Sequence, residues 1–588
     1  MSFARGVRTI AIVSVFALGP RALSQQAPLS FQGVVFEAGS DTPIAKATVE
    51  LRSDSGATTL VASTRTDSAG KFYLPAVAPG SYRLVASHAG HVLAEYGQRQ
   101  MSGPGTRVDP ANPPSNIRIA MTKAGVISGR TLERGQPIGN SDALLVKAFY
   151  TEGQLSFTPV LAIRTDDLGE FHLFWIPPGR YYLIGVVWDI ANSVPRYVNP
   201  TGTDENAISM QHYIGRANFL RSMAGGVLDN QAHIPMYYPG TPDPKLAIPI
   251  EVQPGAQLRG MDIDVTSVPI RRVLGKVDGI PAPNAAQPGT SRGTVSMRPL
   301  LASLSTSAAQ APGTATDASG NFEIAAVAPG RYLVTASAGN LSGRTLVEVR
   351  DRDVTNVVVS LLPGANITGR IVIERAAPAS PDPAMATLRV VLRSDPLIAG
   401  TNVNGVSPQP DGSFTITGVP ASGDYRVLVA PILTGATPPE SSPPGIPPAL
   451  RNLYVKSIRM GDLDVLNDRL HLESLPREPM VIVIGSNPGT LQGRVMNDRQ
   501  QPAAGATVVL IHDDGLRYRV NEKTMLSDPS GQFEFQNVAP GNYKVFAWER
   551  VETGAWQDPD FMRPFESRGV PVRVDEGGRV SAQVTVQN

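Results

Sequence analysis

The stretch Thr66–Leu84, TDSAGKFYLPAVAPGSYRL, decides the fold because it recurs along the chain. It returns as TDDLGEFHLFWIPPGRYYL at 165–183, TDASGNFEIAAVAPGRYLV at 316–334 and SDPSGQFEFQNVAPGNYKV at 527–545. In these four copies Phe follows the turn Gly at +2, Pro-Gly at +9 and +10, and Tyr at +12. A fifth copy, PDGSFTITGVPASGDYRVLV at 410–429, has one extra residue before its Tyr. A spacing repeated this closely indicates one structural unit used five times.

Each copy has the residue pattern of a β-hairpin. The Asp of Asp-x-x-Gly can bond the backbone two residues on, and the Gly accepts positive φ. The Phe then begins an alternating strand, Pro-Gly makes a second turn, and the Tyr strand returns antiparallel with its ring inward. The signature residues are Asp67, Gly70, Phe72, Gly80, Tyr82, Asp166, Gly169, Phe171, Gly179, Tyr181, Asp317, Gly320, Phe322, Gly330, Tyr332, Gly412, Phe414, Tyr425, Asp528, Gly531, Phe533, Gly541 and Tyr543.

The strands around each copy predict an all-β chain, a tandem array of about five Ig-like or transthyretin-like β-sandwiches. Opening strands contain a Gly, as in FQGVVFE and TLQGRVMND, and closing strands alternate apolar and polar residues. Long insertions follow the Tyr strand in modules 2, 4 and 5, and the insertion of module 2 includes a short predicted helix after Thr203. The predicted segments are a signal peptide at 1–24 and modules at 25–122, 123–268, 269–362, 363–487 and 488–588.

Composition limits the class of protein. The 588 residues include 56 Gly and 52 Pro, which suits a chain rich in turns, and no Cys. An exported protein without disulfides must stabilise each module by its own core, and zinc–thiolate sites and Cys nucleophiles are excluded. A net charge of +1 provides no bulk field for nucleic acid or anionic lipid.

The N-terminus has the pattern of a secretory signal. Two arginines precede the apolar run TIAIVSVFALG, and small residues near Ser24 suit cleavage. Removing residues 1–24 takes away three arginines and no acid, which changes the net charge from +1 to −2. No later apolar run approaches the roughly 20 residues of a membrane span. The alternative is a buried N-terminal helix. We expect a secreted, periplasmic or cell-surface protein.

The unit resembles the carboxypeptidase regulatory-like domain, a transthyretin-like or Cna-B-like sandwich that belongs with the carbohydrate-binding-like fold. The residues that carry the resemblance are GVV…TPIAKATVEL…TDSAGKFYLPAVAPGSYRL and QGRV…QPAAGATVVL…SDPSGQFEFQNVAPGNYKV. It is strongest in the first and last modules. The resemblance implies modules without catalysis of their own, although fold kinship is weak evidence for function. Cna-B-type modules often carry a Lys–Asn cross-link, for which only Lys276 has the right position, so we expect none.

The sequence contains no recognisable catalytic or metal-binding constellation. None of its seven His lies in an H-x-x-E pair, and H-E-x-x-H and G-x-S-x-G are absent. His88 and His91 are the one close pair of histidines. They are candidates for a metal site, but we favour the interpretation that both are loop histidines. The turn aspartates lack the spacing of a calcium loop, so the Asx-turn explanation is preferred. We expect no enzyme activity, no metal and no cofactor.

The insertions hold the candidate binding residues, because long loops on a rigid scaffold often carry binding. Their aromatic rings present apolar faces that suit sugar rings, or they pin the loops onto the sandwiches as small satellite cores. Trp175, within the repeat itself, is expected to pack within its strand. The candidate binding residues are Trp188, Tyr237, Tyr238, Trp548 and Trp556.

Together these patterns predict an exported, non-catalytic protein that acts as an extracytoplasmic binding or scaffold protein. One alternative is carbohydrate binding through the loop aromatics, and another is a structural or adhesion rod at the cell surface. The expected partner is a polysaccharide or another surface protein.

Overall fold

The structure is a computed structural model of the chain. The described residues form two compact units, which divide between Lys123 and Ala124. The all-β tandem array predicted from the repeats is confirmed. The structure describes residues 30–54, 59–75, 77–78, 80–98, 105–139, 141–151, 153–187, 231–281, 293–300, 313–375, 382–395, 403–420, 423–430, 450, 452–472, 478–513 and 522–587.

The first unit is one sandwich of two facing sheets. A three-stranded sheet has the order β4-β1-β7, and a four-stranded sheet has the order β3-β2-β5-β6. The closing strand β7 runs parallel to the opening strand β1, so the last strand of the module lies beside the first. Its strands are β1 Phe31–Glu37, β2 Thr48–Ser53, β3 Leu60–Arg65, β4 Lys71–Leu74, β5 Tyr82–Ser87, β6 Ala94–Glu95 and β7 Ile117–Met121.

The second module begins the larger unit. One sheet has the strand order β12-β8-β17, and β18 and β9 also pair with β8. The other sheet has the strand order β11-β10-β13-β15, and β16 also pairs with β13. A separate pair, β14 and β19, follows the insertion. The strands are β8 Gly125–Glu133, β9 Gln136–Pro137, β10 Ser141–Thr151, β11 Gln154–Arg164, β12 Glu170–Ile176, β13 Gly179–Val187, β14 Gln231–His233, β15 Met236–Tyr237, β16 Ile250–Val252, β17 Gln257–Leu258, β18 Ile263–Val265 and β19 Ser267–Pro269, with a 3₁₀ turn at Pro244–Leu246.

The third module repeats the arrangement with sheets β23-β20-β26 and β22-β21-β24-β25-β27. Its opening and closing strands, β20 and β26, are again parallel neighbours. The strands are β20 Arg271–Asp278, β21 Thr294–Pro299, β22 Gly313–Ala315, β23 Asn321–Val327, β24 Gly330–Ala338, β25 Leu341–Val349, β26 Val354–Ser360 and β27 Leu362–Pro363.

The fourth module has the sheets β31-β28-β36-β33-β34 and β30-β29-β32-β35. Its opening and closing strands are β28 and β36, again parallel neighbours. The elements are β28 Ala365–Ile373, a 3₁₀ turn at Met385–Thr387, β29 Arg389–Asp395, β30 Val403–Val406, β31 Ser413–Val419, β32 Asp424–Ala430, β33 Tyr454–Met460, β34 Leu463–Asp464, β35 Leu470–His471 and β36 Met480–Gly485.

The fifth module has the sheets β40-β37-β43 and β39-β38-β41-β42. Its insertion folds into short helices between β41 and β42. The elements are β37 Gly489–Met496, β38 Thr507–His512, β39 Lys523–Leu526, β40 Gln532–Val538, β41 Gly541–Trp548, a 3₁₀ turn at Ala555–Gln557, α1 Pro559–Met562, a 3₁₀ turn at Glu566–Arg568, β42 Val570–Val574 and β43 Arg579–Thr585.

The expectation that the repeat is a hairpin is wrong. In the first module β4, which carries Phe72, pairs with β1, whereas β5, which carries Tyr82, pairs with β2 in the facing sheet. The two strands therefore lie on opposite sides of the core. Phe72 and Tyr82 both point inward and are buried, which a crossing between sheets allows. The repeat is a sheet-to-sheet crossing.

The turn aspartates bond the backbone of their own turns. Asp67 Oδ1 accepts from the backbone N–H groups of Ala69 at 2.9 Å and Lys71 at 2.8 Å. Asp166, Asp317 and Asp528 each accept the same two bonds, and Asp411 accepts from Ser413. The Gly that closes each turn has positive φ, from 71° at Gly70 to 86° at Gly412. These are Asx turns, in which the carboxylate is used within the fold.

The repeated Phe covers the Gly of the opening strand. A Cβ on Gly33 would lie 2.8 Å from Phe72 Cε1, and a Cβ on Gly493 would lie 2.5 Å from Phe533 Cζ. The same pairing recurs at Gly275 with Phe322 and at Gly369 with Phe414. A glycine is needed at this position because the ring and the closing strand occupy the space that a side chain would take.

The repeated Tyr ties its strand to the preceding turn. Its ring lies against the core, and its hydroxyl donates to a carbonyl oxygen a few residues back, which satisfies the polar end of a largely buried side chain. These bonds are Tyr82 to Ala78 at 2.9 Å, Tyr181 to Pro177 at 2.8 Å, Tyr332 to Ala328 at 2.9 Å, Tyr425 to Pro420 at 3.1 Å and Tyr543 to Ala539 at 2.6 Å.

Each module has its own apolar core. Within the described part of the chain, five clusters of buried side chains lie between the paired sheets, one to a module, and the second and fifth modules each have a further satellite cluster. A cysteine-free chain requires such self-sufficient cores. Among the described residues, no helix has the length and apolar character needed to cross a membrane.

Candidate interaction surfaces

The two candidate tryptophans of the fifth module are buried. Trp548, at the end of β41, is 2% exposed, and Trp556, in the 3₁₀ turn of the insertion, is 4% exposed. Trp548 stacks on Phe546 at 5.6 Å between ring centroids and lies 6.5 Å from Trp556. Phe565 meets the Trp548 ring edge-on at 5.7 Å. Because protein covers these rings, neither is a platform for a sugar, and the satellite-core interpretation describes them.

A buried carboxylate, Glu522, lies directly before β39 and binds the insertion that carries Trp556. Glu522 Oε2 accepts from Trp556 Nε1 at 2.8 Å and from Gln557 Nε2 at 3.1 Å. Burial raises the pKa of Glu522 to about 7, and the two hydrogen bonds only partly oppose this. Lys523, the next residue, has a pKa lowered by burial. The insertion is thus fixed to the sandwich by polar as well as apolar contacts.

The candidate residues of the second module are also largely covered. Tyr237 in β15 is 1% exposed and packs against Phe157, with ring centroids 5.3 Å apart. Tyr238 is half-buried against the module core. Trp188 and the helix predicted after Thr203 lie outside the described residues. Burial of Tyr237 corrects the expectation that it presents a ring to a ligand, since its module needs it for packing.

The remaining chemical candidates have local structural partners. His88 and His91 lie 3.3 Å apart between their Nδ1 atoms, and the described residues contain no group of three His, Cys, Asp or Glu able to hold a metal ion. Lys276, the candidate for a cross-link, is half-exposed and pairs with Asp278 at 3.2 Å.

A loop of the fifth module contacts the second module. In this Glu552 loop (residues 549–558), the carbonyl of Thr553 accepts from the backbone N–H of Tyr150 at 2.7 Å. The side chain of Glu552 accepts from the Tyr182 hydroxyl at 2.7 Å. Arg180 Nε lies 3.5 Å from Glu552 Oε1. Residues far apart in sequence are therefore joined by a main-chain bond and a charge-assisted side-chain bond.

Burial and charge at this contact change the acidity of two tyrosines. The pKa of Tyr150 is raised to about 12, first by burial and then by the charges of Glu552 and Asp558. The pKa of Tyr182 is also raised, mainly by burial and then by its bond to Glu552. Gly554 has φ of 77°, and a Cβ there would overlap the carbonyl oxygen of Tyr150. The loop therefore needs a glycine to approach β10 this closely.

An exposed group of aromatic residues lies on β12 of the second module. This aromatic strip consists of His172, Phe174 and Trp175. Phe174 is 44% exposed and Trp175 is 48% exposed. The rings of His172 and Phe174 are 6.1 Å apart and inclined by only 15°. The expectation that Trp175 packs within its strand is wrong, because a β-bulge turns it outward.

The bulge is visible in the register of β12 with β8. Leu173 pairs with Ile127 and Ile176 pairs with Gly125, so Phe174 and Trp175 together lie opposite one residue. One extra residue makes two successive side chains point to the same face. Trp175 has φ of 54°, a conformation that costs a bulky residue about 1–3 kcal/mol.

Comparison with a protein-family model identifies two of the modules. Residues 30–122 and 490–587 match the carboxypeptidase regulatory-like domain. The chain therefore contains two carboxypeptidase regulatory-like domains, one in the first module and one in the fifth. A comparison with curated protein sequences finds no match.

Three solved structures to which the chain is similar are a Bacillus anthracis protein, a Staphylococcus aureus repeat pair and a Streptococcus agalactiae pilin. The Bacillus anthracis TIE protein is 8% identical, with 96% of this chain and 75% of that chain covered and a TM-score of 0.14. Two B repeat units of the Staphylococcus aureus collagen-binding protein are 8% identical, with coverage of 78% and 99% and a TM-score of 0.13. The minor pilin of Streptococcus agalactiae is 14% identical, with coverage of 38% and 96% and a TM-score of 0.18. TM-scores this low define no common overall arrangement.

The regulatory-like domain at 490–587 provides an internal reference for the aromatic strip. Its strand β40 has the same bulge. Phe535 pairs with Leu491 and Val538 pairs with Gly489, so two residues of β40 lie opposite one residue of β37. Its two bulged residues are Gln536 and Asn537. Asn537 has φ of 56°, a conformation that Asn adopts far more readily than Trp does. The bulge belongs to the repeat, whereas the aromatic pair belongs to the second module.

Proposed function

We propose that the chain is an exported, non-catalytic scaffold protein that presents binding surfaces outside the cytoplasm. The observation that carries this proposal is the contact of the Glu552 loop with the second module. A scaffold must hold separate surfaces in fixed relative positions, and this contact joins two modules that are not neighbours in sequence. Its main-chain bond to Tyr150 is 2.7 Å long, and its bond from Tyr182 is also 2.7 Å.

The roles of the repeated residues support a scaffold without catalysis. The signature Asp, Gly, Phe and Tyr form turns, close approaches and cores, as at Asp67, Gly70, Phe72 and Tyr82. A charged or polar side chain that is engaged in a turn is not available for general acid–base chemistry. The residues that differ among modules lie in the bulges and insertions, where binding surfaces can vary on a constant frame.

Export is tested by the N-terminus of the protein that leaves the cytoplasm. The arginines and apolar run within residues 1–24 support removal of this segment during export. When the full chain is produced in a bacterium and the cells are fractionated, we expect the extracytoplasmic protein to begin at Gln25. Proteolytic digestion of that protein should release Lys276 in a linear peptide that has lost no ammonia. A chain that stays in the cytoplasm with Met1 retained would contradict the proposal.

A further inference from the structure

A carboxyl group is buried beneath the insertion of the fifth module. Glu522 is 4% exposed, and its two hydrogen-bond donors, Trp556 and Gln557, are 4% and 8% exposed. Both donors bind Oε2, at 2.8 and 3.1 Å, whereas the buried Oε1 has no hydrogen-bond partner within the described residues. A carboxylate needs a cation or several donors to stay charged away from water. The site therefore favours the neutral form of the acid.

The charged groups nearest to Glu522 do not compensate for its burial. Lys523, the next residue, lies opposite Leu510 on the core side of its sheet, whereas Glu522 faces the insertion. Asp558, at the end of the Glu552 loop, is 9% exposed and is itself an acid, which accepts from the backbone N–H of Asp560 at 2.9 Å. Burial accordingly raises the pKa of Glu522 to about 7 from 4.5, and its two hydrogen bonds only partly oppose this.

The two donors to this carboxyl belong to the Glu552 loop, which contacts the second module. Within the loop, the backbone N–H of Gln557 donates to the carbonyl of Gly554 at 2.8 Å. The carbonyl of Thr553, next to Gly554, accepts from the backbone N–H of Tyr150 at 2.7 Å. One hydrogen-bonded turn therefore joins the buried carboxyl to the contact between modules, so a displacement of Gln557 also displaces Thr553.

We propose that Glu522 is a pH-dependent switch whose ionisation releases the Glu552 loop from the second module. The inference rests on the proposed function, because it assigns a regulation to the contact that carries that function. Ionised Glu522 is stable only where water reaches it, which requires the insertion to move away from the apolar cluster that it forms with β38 and β41. The switch would open the scaffold as pH rises.

The direction of the pH dependence follows from the difference between the buried and the exposed carboxyl. With its pKa raised to about 7 by burial, Glu522 keeps its proton in the closed form, whereas in the open form it ionises near pH 4.5. The closed contact is therefore most favoured below pH 4.5 and loses stability as pH rises to about 7. Above pH 7 the full loss remains.

The other titratable groups of the contact do not produce this change. Burial first, and then nearby acidic groups, raise the pKa of Tyr150 to about 12 and raise that of Tyr182 further, so both phenols stay protonated between pH 5 and pH 8. Arg180, beside Glu552, is charged throughout this range. Glu552 itself is common to the wild type and to a variant of Glu522, so a comparison of the two proteins cancels its contribution.

The test is hydrogen exchange of the Tyr150 amide in the full chain, because this N–H donates across the contact. Tyrosine labelled with ¹⁵N makes the amide visible by nuclear magnetic resonance, and a Tyr150→Phe variant assigns its signal. Relative to the intrinsic exchange rate, we expect protection in the wild type to fall at least about tenfold between pH 5 and pH 8. Glu522→Gln keeps an acceptor oxygen without the charge, so its protection should change less than about twofold.

Glu549→Gln is the matched control, since it removes an exposed carboxyl from the same loop and should keep the pH dependence of the wild type. The labelled amide of Tyr543 in β41 monitors the fifth module. If Glu522→Gln unfolds that module, the wild type decides alone: its Tyr150 protection must fall between pH 5 and pH 8 while Tyr543 stays protected.

Two results distinguish the switch from the contact on which it acts. Equal pH dependence of Tyr150 protection in the wild type and in a folded Glu522→Gln variant would overturn the switch and leave the contact in place. Protection in the wild type that is constant or rises with pH would overturn the switch as well. A Tyr150 amide that is unprotected at every pH in both proteins would refute the contact itself, and with it the proposed scaffold.

Discussion

Replacing Gly493 by alanine is expected to destabilise the fifth module by about 3 kcal/mol, at the upper end of the usual cost of overpacking. A Cβ at this position would lie 2.5 Å from Phe533 Cζ and would overlap the carbonyl oxygen of Ala582. Strand β37 lies between β40 and β43, so neither neighbour can move without breaking its own pairing. The measurement is hydrogen exchange of the amides of β40 and β43 in the full chain, because a chain of several modules need not unfold in one step.

A second glycine of the same module is the control. Gly505 also has a special conformation, with φ of 70°, but a Cβ there would meet nothing within 4 Å. Gly505→Ala should therefore cost only about 1 kcal/mol, the backbone penalty of a left-handed residue. If the amides of β40 and β43 lost equal protection from hydrogen exchange in the two variants, the Phe533 ring would not need the space at Gly493.

Replacing Glu522 by glutamine is expected to stabilise the fifth module at pH 8 by up to about 3 kcal/mol and to have little effect at pH 4. The pKa of Glu522 is raised by burial to about 7 from 4.5. Below pH 4.5 the Glu522 carboxyl is protonated in both the folded and unfolded states, so its burial does not lower the free energy of unfolding through ionisation. As pH rises from 4.5 to about 7, the unfolded state ionises first and folding stability falls, and above pH 7 the full cost remains.

Glutamine keeps the acceptor oxygen that Trp556 and Gln557 need, without the charge. The loss of stability of the fifth module between pH 4.5 and 7 should therefore be smaller in Glu522→Gln, as measured by exchange of the amides of β38 and β41. The contribution of Lys523, whose pKa is lowered by burial, is common to both proteins and cancels in the comparison. Glu534→Gln, at an exposed position of β40, is the matched control. A wild type and a Glu522→Gln variant with the same pH dependence would show that Glu522 does not ionise in a buried site.

The repeated spacing was sufficient to predict the sandwich array, because its signals are local. An Asx turn needs only Asp67 and its next few residues, and alternation marks the inward faces of Phe72 and Tyr82. Which sheet each strand joins depends on pairing with distant strands, so the pattern could not distinguish a hairpin from a crossing. The segment boundaries between modules remain a prediction.

The surfaces were less predictable because exposure of a ring depends on tertiary packing. Trp548 ends β41 and Trp556 lies in the insertion that follows, where exposed binding residues are often found, yet the insertion folds over both rings. The alternation of β12 predicts that Trp175 points inward. The bulge shifts that alternation by one residue, so Ile176 points inward in its place. The bulge could have been predicted from the sequence. Trp175 aligns with Gly418 and Asn537 in the other copies, and both of those residue types tolerate positive φ. Nothing local in the sequence indicates the bond between Tyr182 and Glu552, which are 370 residues apart.

The most direct test of the scaffold is a cysteine pair across the contact between the second and fifth modules. Phe149 and Thr553 form a parallel β-bridge, which places their backbones about 5 Å apart, within the span of a disulfide. The chain has no cysteine of its own, so any disulfide in Phe149→Cys with Thr553→Cys is the engineered one. A second pair, Thr335→Cys with Thr553→Cys, joins residues that share no bridge and is the control. We predict that mild oxidation closes the first pair within the monomer and leaves the second open. A first pair that stays reduced, or that forms disulfides only between chains, would contradict the claim that the Glu552 loop holds the second and fifth modules together.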